Sequence, residues 1–102
     1  MKHTLIILEE AEEELKSLDK KLSAKAYADY KTVLTEGIDK VWREPLGNKL
    51  FEIKSNRIRS LYMFHEGNII IIGLVFLKKS QKTPRKYIDL ATKRIKKYKE
   101  TL

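Results

Sequence analysis

A run without a charge covers residues 68–77 and reads NIIIIGLVFL. Its β-branched residues and its length favour a strand over a helix, and apolar residues on both faces predict a central strand covered on both sides. Further along, Thr83 suits a helix N-cap and Pro84 suits the first turn. Apolar side chains then recur at three- and four-residue spacing, which predicts a final amphipathic helix: Ile88, Ala91, Ile95, Tyr98 and Leu102.

The N-terminal part of the chain predicts a strand and two helices. Residues 4–8 form a short apolar run that suits an edge strand. Residues 9–22 predict a first helix, because an apolar stripe runs along them and glutamates fill the first turns, where the helix dipole favours acid. Ser23 suits the N-cap of a second helix with a stripe that reaches Val41, so the two predict an αα-hairpin. Residues 45–47, with a proline and a glycine, then end the helical part.

Strand signals fill the middle of the chain. Residues 49–54 alternate and residues 58–64 form another strand, while residues 65–68 suit a hairpin turn. The predicted order is β-α-α-β-β-β-α, an α+β fold with an antiparallel sheet core packed by an N-terminal helical hairpin and a C-terminal helix. No repeat or linker interrupts residues 1–102, so we expect one domain. Trp42 could stack on a nucleic-acid base, but we expect it to pack where the hairpin meets the sheet, the more frequent position of such a residue.

Composition excludes several classes of protein. The 102 residues include no cysteine, which removes disulfides and thiolate metal sites. The N-terminus lacks the pattern of a signal peptide, and the longest apolar run is too short to span a bilayer. We therefore expect a cytoplasmic protein with no membrane partner.

Charge is divided unevenly along the chain. The net charge is +8, but residues 1–45 carry −2 and residues 46–102 carry +10. A basic half on a small domain indicates a polyanionic partner, usually nucleic acid. The alternative is a solvated lysine-rich surface.

Three segments carry a family resemblance. Residues 49–54 read KLFEIK, residues 58–64 read IRSLYMF, and residues 76–84 read FLKKSQKTP. These segments resemble the RelE/ParE superfamily of bacterial toxin–antitoxin toxins, and more closely its phage-derived HigB-like branch, which shows a Phe-x-Lys-Lys-x-Gln-Lys-Thr-Pro run before its last helix. The N-terminal helices match only in pattern.

The resemblance implies a RelE-like fold and a metal-independent mRNA endoribonuclease that acts on the translating ribosome. It also implies a cognate antitoxin, a helix-turn-helix protein that forms a hetero-oligomer with the toxin. The partners would thus be antitoxin, mRNA and ribosome. The same superfamily contains inhibitors of DNA gyrase, so a ParE-like toxin is one alternative; a non-enzymatic nucleic-acid-binding domain is another.

Metal-free RNA cleavage supplies criteria for choosing catalytic residues. The 2′-OH attacks the adjacent phosphate and the 5′-oxygen leaves, which requires a proton acceptor, a proton donor and cations for the developing charge. Arg59 is the first candidate, because it lies in an otherwise uncharged strand and a guanidinium can grip phosphate bidentately. It also matches the Arg of the family's Arg-x-x-Tyr strand. The alternative is an ion pair with Glu52 on the neighbouring strand; an unpaired Glu52 could instead be the base.

Clustered lysines are the next candidates: Lys78, Lys79 and Lys82. Closely spaced ammonium groups disfavour one another's charged forms, so one could exchange protons near neutrality. Alternatively, all three bind phosphate only electrostatically. Because consecutive strand residues face opposite ways, Lys78 and Lys79 are not expected to act together.

Further residues are candidates for holding the nucleic acid: Lys49, Lys54, Tyr62, Thr83, Arg85 and Lys86. Tyr62 could stack on a base or simply pack, and the amides that begin the last helix could face a phosphate. His3 and His65 would have to share one cleft to act as a pair, which their predicted positions disfavour. No acidic or histidine grouping has metal-ligand spacing, so no cofactor is expected.

Overall fold

The computed structural model describes residues 3–102. The elements, in chain order, are β1 Thr4–Ile7, α1 Glu9–Lys16, α2 Lys20–Glu36, a short 3-10 helix Ile38–Lys40, β2 Arg43–Gly47, β3 Leu50–Ser55, β4 Ile58–His65, β5 Ile69–Leu77 and α3 Arg85–Lys99. One five-stranded sheet has the order β1-β5-β4-β3-β2. The α+β class is confirmed, but the sheet is mixed, because β1 pairs with β5 in parallel.

The two N-terminal helices have different limits from those predicted. A helix over residues 9–22 is wrong: α1 ends at Lys16, and the hydroxyl of Ser17 donates to the carbonyl of Glu14 at 2.7 Å. Asp19, not Ser23, is the N-cap of α2, and its carboxylate accepts from the amide of Lys21. Asp19 and Ser23 both suit an N-cap. Asp19 takes that position because α1 ends at Lys16, so α2 can begin earlier than predicted.

An edge strand occupies the segment that was expected only to end the helical part. β2 pairs with β3 and has no other neighbour in the sheet, so Pro45 removes no ladder hydrogen bond that a central strand would need. Val41 lies outside α2. Trp42 is 74% exposed, so the expectation that it packs at the junction of hairpin and sheet is wrong.

The C-terminal meander is confirmed. β3, β4 and β5 pair in antiparallel fashion, and Gly67 takes a φ of 75° in the turn before β5. The central position of β5 is also confirmed, since it lies between β1 and β4. Thr83 is not the N-cap of α3: Pro84 occupies that position, and the hydroxyl of Thr83 instead donates to Glu52 at 2.7 Å.

A bulge in β5 allows α3 to approach the sheet closely. Leu61 pairs with Leu74 and Tyr62 pairs with Ile72, which leaves Gly73 without a partner on β4. A Cβ atom at Gly73 would lie 2.5 Å from Cγ1 of Ile95 on α3. The absence of a side chain at Gly73 therefore allows α3 to pack closely against β5.

Hydrogen bonds fix the helices on the sheet. The hydroxyls of Tyr30 on α2 and Ser60 on β4 are 2.6 Å apart, and burial raises the pKa of Tyr30 to about 12. The carboxylate of Glu14 on α1 accepts from the amide of Val75 and from Arg94 on α3. Within residues 3–102, no helix has the length and apolar character needed to cross a membrane.

Candidate functional site

One open cleft of about 280 Å³ lies between the sheet and the first turn of α3. We call it the basic cleft; its lining residues are Glu44, Leu46, Glu52, Lys54, Arg59, Phe76, Lys78, Ser80, Gln81, Lys82, Thr83 and Ile88. Four of these side chains are cations and two are carboxylates. A cleft with excess positive charge suits an anionic ligand.

Cross-strand pairing explains why the charged residues meet. Arg59 on β4 lies opposite Lys54 on β3 and opposite Phe76 on β5. Directly opposed residues project from the same face of a sheet, so these three side chains form one row across the floor of the cleft. The loop of residues 78–84 lies at the β5 end of that row and adds Lys78 and Lys82 to the lining of the cleft.

Arg59 is held in place by backbone carbonyls. It is 7% exposed, and Nη1 donates to the carbonyls of Asn56 at 2.6 Å and Ile58 at 3.1 Å. Among the described residues it makes no ion pair with Glu52, so the alternative interpretation of Arg59 as the partner of Glu52 is wrong. Because both hydrogen bonds use Nη1, the remaining guanidinium donors are left for a ligand in the cleft.

Glu52 is a buried carboxylate beside these cations. Only 5% of the residue is exposed, and Oε1 accepts the hydroxyl hydrogen of Thr83 at 2.7 Å. No other residue in the range 3–102 donates to its side chain. The second oxygen is therefore able to accept a proton or a hydrogen bond from a bound molecule.

Glu44 partly neutralises the outer side of the cleft. Its Oε1 lies 2.5 Å from Nζ of Lys54, and this hydrogen bond and charge lower the pKa of the Glu44 carboxyl, with further lowering by Arg59 and Lys78. The carboxylate thus stays ionised in neutral solution. A phosphate entering the cleft would compete with Glu44 for Lys54.

The clustered lysines differ in the grooves that they line. Lys78 and Lys82 line the basic cleft, whereas Lys79 lines a groove beside α1 and shares a further groove, at Arg57, with Lys78. The expectation that Lys78 and Lys79 do not act together stays a prediction. Lys79 is not among the lining residues of the basic cleft.

Other candidates fall outside the basic cleft. Lys49 and Arg85 line a neighbouring groove along α3, and Lys86 is exposed with Nζ 5.4 Å from the ring centre of Tyr87. Tyr62 is completely buried and stacks on Phe51 at 5.5 Å, so the structure does not support its stacking on a base. Neither His3 nor His65 lines the cleft.

Sequence reasoning missed two kinds of lining residue. Glu44 was missed because β2 was missed, and only the pairing with β3 brings its carboxylate to Lys54. Phe76, Ser80 and Gln81 lie within the segment that carried the family resemblance, but no charge singled them out. Their position in the run FLKKSQKTP was the available signal.

Comparisons with known proteins agree with this architecture. The chain is similar to the toxin–antitoxin complex RelBE2 from Mycobacterium tuberculosis, with a TM-score of 0.65 and 19% identity over 78% of this chain and 95% of that chain. It is also similar to the archaeal RelE-RelB complex from Pyrococcus horikoshii, with a TM-score of 0.60 and 15% identity over 76% of this chain and 97% of that chain. No curated protein matched the sequence. Residues 13–96 match the family of phage-derived Gp49-like proteins. The RelE-like fold inferred from sequence is therefore confirmed, and the chain belongs to the Gp49-like family.

Proposed function

We propose that this protein is the toxin of a toxin–antitoxin pair and that it cleaves mRNA on the translating ribosome without a metal ion. The observation that carries the proposal is the basic cleft, which Arg59, Lys78 and Lys82 line together with the buried carboxylate of Glu52. This set supplies both a proton acceptor and the cations that a phosphorane requires. The fold supports the assignment to toxins, because one of the similar structures is a toxin–antitoxin complex and another is a RelE-RelB complex.

The proposed reaction is transesterification within the RNA chain. The 2′-oxygen forms a bond to phosphorus and loses its proton to Glu52, while the bond from phosphorus to the 5′-oxygen breaks. Lys78 or Lys82 gives a proton to that leaving oxygen. The products are a 2′,3′-cyclic phosphate and a 5′-hydroxyl. Arg59 holds the non-bridging oxygens, where negative charge increases in the transition state.

Expression of the protein tests the proposal directly. We expect growth arrest with rapid decay of mRNA and unchanged DNA supercoiling, together with fragments that end in 2′,3′-cyclic phosphate. Purified translating ribosomes with a defined message should show whether cleavage requires the ribosome. Altered supercoiling with intact mRNA would support a gyrase inhibitor instead, and binding of RNA without cleavage would support a non-enzymatic domain.

The division of the lysines predicts unequal effects on RNA binding. Lys78→Ala and Lys82→Ala should weaken binding of a non-cleavable 2′-deoxy single strand, because each removes a cation from the basic cleft. Each lost phosphate contact should reduce the slope of log affinity against log salt by about 0.7. The loss should be similar for different sequences, since phosphate carries no base identity.

Lys79→Ala is the matched control, because Lys79 neighbours Lys78 in sequence but is not among the lining residues of the basic cleft. It removes the same charge from the whole protein, so any general electrostatic effect should appear in all three variants. We expect its salt slope to remain close to that of the unaltered protein. If the salt slope were the same for the unaltered protein and all three variants, Lys78 and Lys82 would not contact phosphate.

A cognate antitoxin is the proposed protein partner. The similar structures include a toxin–antitoxin complex and a RelE-RelB complex, which supports a partner of this kind for the present chain. An antitoxin that presents acidic residues to the basic cleft would associate rapidly and would exclude RNA. We propose, from the family resemblance, that this antitoxin is a helix-turn-helix protein.

A further inference from the structure

Within residues 3–102, Trp42 is the most exposed of the large hydrophobic residues. Its exposed fraction is 74%, compared with 58% for Leu102 and 43% for Tyr27. A single exposed hydrophobic residue is ordinary by itself, but burying an aromatic side chain is favourable, so an exposed indole beside a binding cleft is a candidate contact for a ligand or a partner. Its location decides which of these it suits.

The pairing of β2 with β3 places Trp42 at the border of the basic cleft. The carbonyl of Trp42 accepts from the amide of Lys54 at 2.7 Å, which extends the β2–β3 ladder by one residue beyond Arg43. Trp42 therefore lies opposite Lys54. Side chains two residues apart in an extended strand share a face, so Trp42 is on the same face as Glu44, a lining residue of the cleft.

The row of residues across the cleft floor can thus be continued to the edge of the sheet. It runs from Phe76 through Arg59 and Lys54 to Trp42. Adjacent strands are separated by about 4.8 Å, so the backbone of Trp42 is one strand spacing from that of Lys54 and two from that of Arg59. This is a suitable range for a nucleotide whose phosphate contacts the cations while its base reaches the indole.

We propose that Trp42 is a stacking platform for an RNA base next to the phosphate held in the basic cleft. The inference deepens the proposed function and rests on it. The cations of the cleft recognise phosphate but cannot hold a base, and single-stranded nucleic acids are generally bound by a basic groove combined with exposed aromatic rings. Trp42 would be an RNA-binding residue that aligns the strand and takes no part in proton transfer.

Trp42 is the only tryptophan of the chain, which gives the proposal a direct readout. Titration with a non-cleavable 2′-deoxy oligonucleotide should quench the indole fluorescence in parallel with binding measured by anisotropy of a dye on the oligonucleotide. Trp42→Ala should weaken binding by about 5- to 150-fold, the range that corresponds to 1–3 kcal/mol for one stacked base. Trp42→Phe keeps an aromatic face and should retain most of the affinity. Neither variant should change the salt slope.

Tyr27→Ala is the matched control. Tyr27 is an exposed aromatic residue on α2, which is joined by Tyr30 to the opposite face of the sheet through Ser60, so its loss should leave affinity unchanged. Salt-dependent binding that neither quenches Trp42 nor weakens in Trp42→Ala would overturn the stacking proposal and leave the proposed function standing. Weaker antitoxin binding with unchanged RNA affinity would also overturn it. Absence of RNA binding by the unaltered protein would overturn both.

Discussion

Arg59→Ala should reduce the rate of RNA cleavage by a factor of about 10²–10³, equivalent to 2.7–4 kcal/mol, by analogy with loss of one oxyanion-stabilising donor. The expected size follows from two features of the site. Arg59 is almost wholly buried, so its charge is poorly screened by water, and its orientation is fixed by the carbonyls of Asn56 and Ile58. Single-turnover cleavage of a defined message measures the effect.

Arg59 also has a structural role that the experiment must separate from catalysis. Its two hydrogen bonds support the turn between β3 and β4, so thermal melting should accompany every rate. Arg59→Lys keeps the charge but loses the planar fork, and we expect partial activity from it. Arg59→Gln keeps a donor for the carbonyls without the charge and should be as slow as alanine. A folded Arg59→Ala protein that cleaves at the normal rate would exclude Arg59 from the mechanism.

Gly73→Ala should destabilise the protein by about 1–3 kcal/mol, the usual cost of inserting an atom into a packed core. The added Cβ would lie 2.5 Å from Cγ1 and 2.9 Å from Cδ1 of Ile95, and 3.1 Å from the carbonyl oxygen of Ala91. Helix α3 must move away to make room. Because Ile88 on α3 lines the basic cleft, cleavage should fall together with the melting temperature.

A double-mutant cycle with Ile95→Ala tests the cause of that loss. Ile95→Ala removes the two nearest atoms and costs stability of its own, about 2–5 kcal/mol for truncation of a fully buried isoleucine. If the clash between residues 73 and 95 is the cause, the double variant should be more stable than the sum of the single effects predicts. If the losses of stability in the two single variants simply add in the double variant, the cause is instead a backbone conformation at residue 73 that alanine does not favour.

Elements with strong periodicity were predictable from the sequence. The uninterrupted apolar run identified β5, and alternation with turn residues identified β3 and β4, because a fully covered strand and a hairpin have direct sequence signatures. The lysine-rich run before α3 supplies two lining residues of the basic cleft, Lys78 and Lys82. Arg59 was proposed for a physical reason: an isolated charge in an apolar strand must be satisfied locally or serve a ligand.

Other elements could not be predicted, because they depend on contacts between segments that are distant in the sequence. β2 is nearly all exposed and includes Pro45, so it has neither apolar alternation nor typical strand composition. Its pairing with β3 holds it in place as a strand, and the same pairing brings Glu44 to the cleft and Trp42 to the border of the cleft. The burial of Tyr62, however, could have been anticipated. Residues three apart on a strand face opposite ways, so a cleft that contains Arg59 excludes Tyr62.

The parallel pairing of β1 has a consequence for the order of folding. β1 meets a strand far along the chain, with Thr4 opposite Ile69 and Ile7 opposite Ile72. Closing so long a loop has a high entropic cost, whereas β3, β4 and β5 are joined by short turns. We expect the C-terminal hairpins to form first and the N-terminal strand to join last, so that assembly runs against the direction of synthesis. Pulsed amide exchange during refolding should accordingly protect β4 before β1.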